Sequence, residues 1–211
     1  MLRASLIAIV LMLAAAPANA QLPDLSKITG SKSSPLKGIL RQASDLALDK
    51  LAKPGAFAAD DAIRIALPGK AKALTDVLRM ANQAGLVGDI SGDLNSAAGI
   101  AAGAAKPIFR SAIDKMTLQD AVGVISGGGT GATDYLQRSA GDQVKVQLRP
   151  LVRAALGKTG VLAKTSKLAA LGVTSDSLVD YVTGKTSDGI FTYVGREETQ
   201  IRANPLSLLR R

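Results

Sequence analysis

Apolar residues recur at intervals of three and four along most of the chain, the spacing that places side chains on one face of an α-helix. The first such stripe follows residues 33–35, where two serines and a proline form a helix start, and it ends at the Pro-Gly pair of residues 54–55. Helices are also predicted from about Gly69 to Ala84 and, less regularly, over residues 86–116. The first half of the chain is therefore predicted to be mostly helical.

The second half continues the helical pattern, with predicted interruptions. A helix that starts near Ala132 is expected to break at Gly141. Short helices are predicted over residues 161–171 and 177–182. The apolar stripe then changes face, so we expect a break near residues 183–184 before the last helix.

Two short stretches stand out from this pattern. In residues 63–68, IRIALP, apolar and other residues alternate, so one short extended segment is expected near residues 62–67. Gly99 and Gly103 lie one turn apart, a spacing of small residues that lets two helices approach closely. No internal repeat and no long linker divides the chain. The predicted fold class is therefore all-α, a single-domain, irregular helical bundle.

The N-terminus has the parts of a bacterial export signal. Arg3 gives a short basic region, residues 6–16 are apolar, and Ala18 and Ala20 are small residues at the positions that a signal peptidase recognises. The apolar run is shorter than the roughly 20 residues that a membrane span needs. We therefore expect cleavage after Ala20, a periplasmic location and no transmembrane span in the mature chain.

Four segments are predicted along the chain. A signal peptide occupies residues 1–20, a flexible, polar leader residues 21–34, the helical domain residues 35–207, and a basic tail residues 208–211. Because the chain has no cysteine, disulfides cannot support the fold, and its core alone must hold the mature chain together.

Composition limits the chemistry that the chain can perform. The 211 residues carry a formal net charge of +9 and include neither histidine nor cysteine. The commonest general base and the usual nitrogen and sulfur ligands of zinc are thus missing, so we predict no metal, no cofactor and no catalytic residues. The positive charge suits an anionic envelope surface or solubility alone, whereas an exported protein is not expected to meet nucleic acid.

Two glycine-containing stretches resemble phosphate-binding loops. Residues 124–133, VISGGGTGAT, match the dinucleotide-binding pattern, but the acidic residue expected about 20 positions later is missing and the surroundings are helical. Residues 184–186, GKT, lack the first glycine of a Walker A loop, because Val179 stands at that position. The first stretch is instead predicted to be a flexible turn in which Thr130 or Thr133 caps the next helix.

Charged residues on apolar helix faces are the best candidates for a site. Glu197 and Glu198 both lie within one turn of Val194 and Ile201, so at least one of them is expected to be partly buried. A buried carboxylate needs a partner. Arg202 follows Glu198 by four residues, which is pairing distance on a helix.

The predicted binding residues extend this reasoning to other charged and polar positions. Lys185 and Asp188, for example, also lie one turn apart. The full set is Arg64, Asp134, Tyr135, Arg138, Lys185, Asp188, Glu198 and Arg202. Perturbed charges can mark a ligand pocket, but the same charges can instead form ion pairs that fix the register of the helices. Both interpretations remain open at this point.

Five spaced motifs together resemble one bacterial family. The motifs are IRIALP (63–68), AKPIFRSAIDKMT (105–117), SGGGTGATDYLQR (126–138), YVTGKTSDGIF (181–191) and EETQIRANP (197–205). Over about residues 36–207 the chain resembles domain-of-unknown-function family 4197. The resemblance implies an exported, mostly helical protein of Gram-negative bacteria, and it supplies no catalytic residues because the family has no established activity.

These observations predict a non-catalytic binding or interaction module of the cell envelope, whose partner is an envelope protein or an anionic envelope surface. One alternative is a carboxylate-dependent hydrolase of an envelope polymer, which needs two carboxyl groups in one cleft, about 5 to 10 Å apart. Another is a binder of anionic envelope surfaces that uses the basic tail. The hydrolase would be contradicted by a structure in which all candidate carboxylates are paired or dispersed.

Overall fold

The computed structural model describes residues 25–66, 73–85, 88–117, 128–165, 169 and 173–204. Its helices are α1 (Leu25–Leu51), α2 (Ala56–Ala59), α3 (Ala73–Gln83), α4 (Ile90–Gly103), α5 (Lys106–Lys115), α6 (Gly131–Lys158), α7 (Val161–Thr165) and α8 (Ser175–Ala203), with a 3-10 turn at Gly128–Thr130. Within these ranges there is no strand, so the predicted all-α class is confirmed. The predicted signal peptide and basic tail lie outside them.

Helix α8 is the centre of the bundle. It packs against α1, α4 and α6, and the 3-10 turn lies against its C-terminal half. Because neighbours cover it on several sides, both apolar stripes that the sequence shows are buried: Val182 and Val194, one on each stripe, have no exposed surface. The break predicted near residues 183–184 is therefore wrong, and α8 runs without interruption over 29 residues.

Helix α6 is also longer than predicted. It runs over 28 residues, with Gly141 buried inside it and Pro150 exposed further along. The break predicted at Gly141 is wrong. A glycine inside a helix costs only about 1 kcal/mol relative to alanine, and burial of an apolar face on this scale outweighs that cost.

The beginning of α1 differs from the prediction as well. The helix begins at Leu25, so the start predicted at residues 33–35 is wrong, and residues 25–34 of the predicted leader are helical. Proline inside a helix removes one backbone hydrogen bond and its ring clashes with the preceding turn, a cost of about 3 kcal/mol that a long helix can still absorb. A serine-proline pair is thus a local signal that the longer helix overrides.

Close packing at Gly99 and Gly103 is confirmed. A Cβ atom added at Gly99 would lie 3.3 Å from the carbonyl oxygen of Leu51, and one at Gly103 would lie 3.1 Å from the Cβ of Ala52. Helix α4 therefore approaches the end of α1 at a distance that larger side chains would prevent.

The segment after α2 lies along α8, from Arg196 near Asp60 to Tyr181 near Ala66, without forming a strand. Ile63 and Ile65 are buried while Arg64 and Ala66 are exposed, so the alternation predicted near residues 62–67 is present as far as residue 66. The side chain of Asn95 satisfies the backbone here: its Oδ1 accepts from the Ile65 N–H at 2.9 Å, and its Nδ2 donates to the Ile65 carbonyl at 3.0 Å. One buried amide thus replaces the neighbouring strand.

Candidate functional site

Helices α6 and α8 form an antiparallel pair whose two ends are fixed by charged groups. At the start of α8, Arg153 pairs with Asp176, and Arg149 bridges Asp176 at 2.8 Å and Asp180 at 2.6 Å. At the other end, a glutamate of α8 reaches the first turn of α6. The two helices are therefore held in one register along their length.

The glycine-rich turn before α6 brings backbone close to α8. Gly128 has a φ of 75°, which favours glycine. A Cβ added at Gly129 would lie 3.0 Å from Thr199 Oγ1, and one added at Gly195 would lie 3.2 Å from Thr130 Cγ2. These glycines permit close helix packing, which supports the interpretation of this stretch as a turn and not as a phosphate grip.

The cap of α6 comes from the buried carboxylate of Glu198. Its Oε1 accepts from the Ala132 N–H at 3.1 Å, and its Oε2 accepts from the Thr133 N–H at 2.7 Å and from the Thr133 hydroxyl at 2.6 Å. Thr130 occupies the N-cap position, as predicted, but its side chain makes no capping bond, so the Glu198 carboxylate takes over that role. A full negative charge at a helix N-terminus is a stronger acceptor than a hydroxyl.

Both adjacent glutamates are buried, which confirms and extends the prediction that at least one is. Glu198 has no exposed surface and accepts from Arg202 Nε at 2.8 Å, the pairing expected from their spacing. Glu197 is 4% exposed and accepts from Lys50 of α1 at 2.5 Å. Consecutive carboxylates on α8 therefore bind two different elements, because neighbouring side chains on a helix point about 100° apart.

An open polar groove of about 360 Å³ lies between α6 and α8, above the Glu198 cap. Its lining residues are Thr130, Thr133, Asp134 and Gln137 from α6 and the turn before it, and Asp188, Phe191, Thr192, Gly195, Arg196 and Thr199 from α8. Carboxylates, hydroxyls, an amide and a guanidinium thus face one space.

A cluster around Asp60 fixes Arg196 on α8. Asp60 pairs with Arg196 and accepts from the Tyr193 hydroxyl at 2.9 Å and from the Ala62 N–H at 2.9 Å. The hydrogen bond from Arg196, with those from Ala62 and Tyr193, lowers the pKa of Asp60 to about 2. The Arg196 guanidinium also lies 4.8 Å from the centre of the Tyr193 ring, in cation–π contact.

Two of the predicted binding residues line this groove, and two others form an ion pair with each other outside its lining. Asp134 and Asp188 line it from opposite helices. Glu198 is fully buried and holds the first turn of α6, the partly exposed Arg202 donates to it, and neither residue lines the groove.

The other four predicted residues lie elsewhere. Arg64 pairs with Asp61 at 2.5 Å, and Arg138 and Lys185 are exposed outside the lining of the groove. Tyr135 lines a separate hollow of about 250 Å³ between α5 and α6, and its hydroxyl donates to the Thr117 carbonyl at 2.7 Å. In the part of the chain that the structure describes, Lys185 and Asp188 form no ion pair with each other.

Sequence reasoning missed the polar residues that complete the lining. On α8 these include Thr192, Arg196 and Thr199, which with Asp188 recur every three or four residues. That spacing is a polar stripe on an otherwise apolar helix and was visible in the sequence. The helix opposite was not visible, because it is contributed by residues more than fifty positions away.

The described residues give no sign of a metal site or a membrane span. No group of three or more acidic residues is placed to hold a metal ion among them. Within the same ranges, no helix is both long and apolar enough to cross a bilayer.

The comparison with protein families covers nearly the whole chain. The family model described as "Protein of unknown function (DUF4197)" matches residues 28–209. The chain belongs to this family. The resemblance seen in the five motifs is therefore confirmed, and the DUF4197 match includes both helices of the groove. No curated protein and no solved structure matches the chain.

Proposed function

We propose that the protein is a non-catalytic binding module of the bacterial cell envelope and that the groove between α6 and α8 is its binding site. The observation that carries this proposal is the groove itself: an open space of about 360 Å³ into which polar side chains of two helices converge. Small-molecule sites are typically concave, with a few polar groups that fix the orientation of the ligand.

The walls of the groove are held in place before any ligand arrives. Glu198 ties the first turn of α6 to α8, and Asp60 holds Arg196 from the segment after α2. A preformed site binds more tightly than one that must order its side chains, because less conformational entropy is lost on binding. The ion pairs that fix helix register thus also support a ligand site.

The envelope location rests on the N-terminal sequence. The proposed signal peptide, residues 1–20, would send the mature chain from Gln21 onward to the periplasm. A protease-accessibility assay on spheroplasts tests this directly: the mature chain should be degraded without lysis, whereas a chain that lacks residues 2–20 should be protected. Protection of the full-length chain would contradict the proposed periplasmic location, but it would leave the proposal of a binding site in the groove unaffected.

Binding at the groove is tested by amide chemical shifts of the mature chain, residues 21–211. Small cationic, anionic and neutral polar molecules are titrated separately, and at least one should move the signals of residues around the groove. Thr192→Trp, which fills the groove from an exposed position, should abolish that response. Val146→Trp is the matched control, because Val146 is 66% exposed on α6 and does not line the groove.

Two outcomes would overturn this proposal. One is the absence of any groove response across the three classes of molecule. The other is a response that survives Thr192→Trp, because the ligand would then bind elsewhere.

A carboxylate-dependent hydrolase is the second candidate, and one observation favours it. Asp114 pairs with Arg41, and Glu197 and Glu198 pair with cations, yet Asp134 and Asp188 remain together in one groove. Asp120 lies outside the described residues. Release of fragments from envelope glycans by the mature chain, lost in Asp188→Asn, would favour this function over simple binding.

A further inference from the structure

The threonines of the groove all direct their hydroxyl hydrogens into the protein. Thr133 donates to Glu198 at 2.6 Å and Thr130 donates to Asp134 at 3.1 Å. On α8, the hydroxyls of Thr192 and Thr199 donate to backbone carbonyls one turn earlier, at 2.8 and 2.9 Å. A hydroxyl has a single hydrogen but two lone pairs, so each threonine can offer a ligand only an acceptor.

The carboxylates of the groove add acceptors and negative charge. Asp134 accepts one bond, from Thr130, and the Asp188 carboxylate takes part in no ion pair in the described part of the chain. The cation of the lining, Arg196, is already paired with Asp60. In a chain of net charge +9, this groove is therefore a local site of negative charge.

An anionic ligand would find few donors here. The N–H groups of the first turn of α6, which would attract a phosphate or carboxylate at a free helix N-terminus, already donate to Glu198. Gln137 can donate through its amide, but two nearby carboxylates would repel an anion.

We propose that the ligand of the groove is a small organic cation with several N–H donors, held as an ammonium or guanidinium group between Asp134 and Asp188. This inference rests on the proposed binding function of the same groove. The threonine oxygens accept the remaining N–H bonds, and charge-assisted hydrogen bonds to the two carboxylates supply most of the affinity. A volume of about 360 Å³ suits a free diamine or one basic side chain of a peptide.

The experiment is a titration of the mature chain, followed by amide chemical shifts, with separate probes. Putrescine represents a free amine, and N-acetyl-lysine amide and N-acetyl-arginine amide represent the side chains of a partner. Inorganic phosphate, glucose and Mg²⁺ are the anionic, neutral and metal probes. We expect the amine or guanidinium probes to bind, with an affinity that falls as the salt concentration is raised. The probe that binds most tightly of these three shows whether the natural ligand is a free amine or a basic side chain of a partner.

Carboxylate variants test the mode of binding. Asp134→Asn and Asp188→Asn should each weaken binding of the cation roughly fivefold to tenfold. Asp142→Asn makes the same charge change on an exposed position of α6 outside the groove, and it should change the dissociation constant less than about twofold. All three positions are exposed, and circular dichroism verifies that each variant is folded.

Several results would overturn the inference. If phosphate or glucose moves the groove signals and no organic cation does, the groove binds a ligand but the inference that this ligand is an organic cation is wrong. A response to Mg²⁺ alone has the same meaning. Equal effects of Asp188→Asn and Asp142→Asn would show that the cation responds only to overall charge.

Discussion

The side chain of Glu198, on the last helix, accepts two hydrogen bonds from Thr133, one from its backbone N–H and one from its hydroxyl. Helix caps are usually supplied by a residue next to the helix that they cap. Here the cap comes from 65 positions away and is itself fully buried. The first turn of α6 therefore receives this cap only when α8 lies beside it.

Removal of the Glu198 carboxylate should destabilise the whole bundle. Glu198→Ala leaves two backbone N–H groups and Arg202 without their buried acceptor, so we expect the free energy of unfolding to fall by about 2–4 kcal/mol. Urea denaturation measures the loss, with Asp142→Asn as an exposed control on α6. A loss below about 0.5 kcal/mol would mean that water replaces the carboxylate.

Two glycines of α8 should respond to alanine in opposite directions. At Gly189 an added Cβ would lie 2.8 Å from Cε1 of Phe57, whose ring is almost fully buried, so Gly189→Ala should cost about 1–2 kcal/mol. At Gly184 nothing lies within 4 Å, so Gly184→Ala should stabilise the protein by about 0.5–1 kcal/mol. Thermal or urea unfolding of the two variants measures the change in the free energy of unfolding for each. A change in the same direction for both variants would contradict this packing.

Asp60 should make stability depend on pH in acid. Its pKa is about 2 in the folded protein, below the ordinary value near 3.9 of an unfolded chain. The stabilisation is thus fully present above about pH 4 and is lost as the pH falls towards 2. The difference in unfolding free energy between the wild type and Asp60→Asn should therefore shrink between pH 5 and pH 2.

The same series of urea unfolding measurements on Asp142→Asn separates this effect from the titration of other carboxylates. Its difference from the wild type should stay nearly constant over that range, because Asp142 is exposed and forms no ion pair with another residue that the structure describes. A constant difference for Asp60→Asn as well would mean that the pairing with Arg196 does not survive in solution.

The amide of Asn95 should be needed to hold the segment after α2. Asn95→Ala leaves the N–H of Ile65 without its partner and leaves the Ile65 carbonyl only the longer hydrogen bond from the Ser91 hydroxyl, at 3.3 Å, which we expect to cost about 1–3 kcal/mol. Hydrogen exchange of the Ile65 amide should accelerate more than global unfolding explains. Ser96→Ala, a change at an exposed neighbour, is the control, and unchanged exchange at Ile65 would contradict the proposed role of Asn95.

Local patterns predicted what lies on one helix or segment. The burial of Ile63 and Ile65 followed from their alternation, and the pairing of Glu198 with Arg202 followed from their spacing of four. Both depend on the geometry of a single element, which the sequence determines directly.

Features that depend on distant neighbours were not predictable in this way. The change of apolar face near Gly184 indicated a break, yet α8 continues because different helices cover its different faces. The groove presented the same difficulty. Asp134 and Asp188 were among the predicted residues, but nothing local showed that they face one another or that Arg196 is already paired with Asp60.

The central position of α8 also determines when, during synthesis, the other helices can pack. A chain is synthesised from its N-terminus, so α1 to α6 exist before the helix that fills the space between them. Until α8 emerges, α6 has no cap, the apolar faces of the other helices are uncovered, and native packing is out of reach. We therefore expect the nascent chain to reach its native packing only after the residues of α8, from Ser175 onward, have been synthesised.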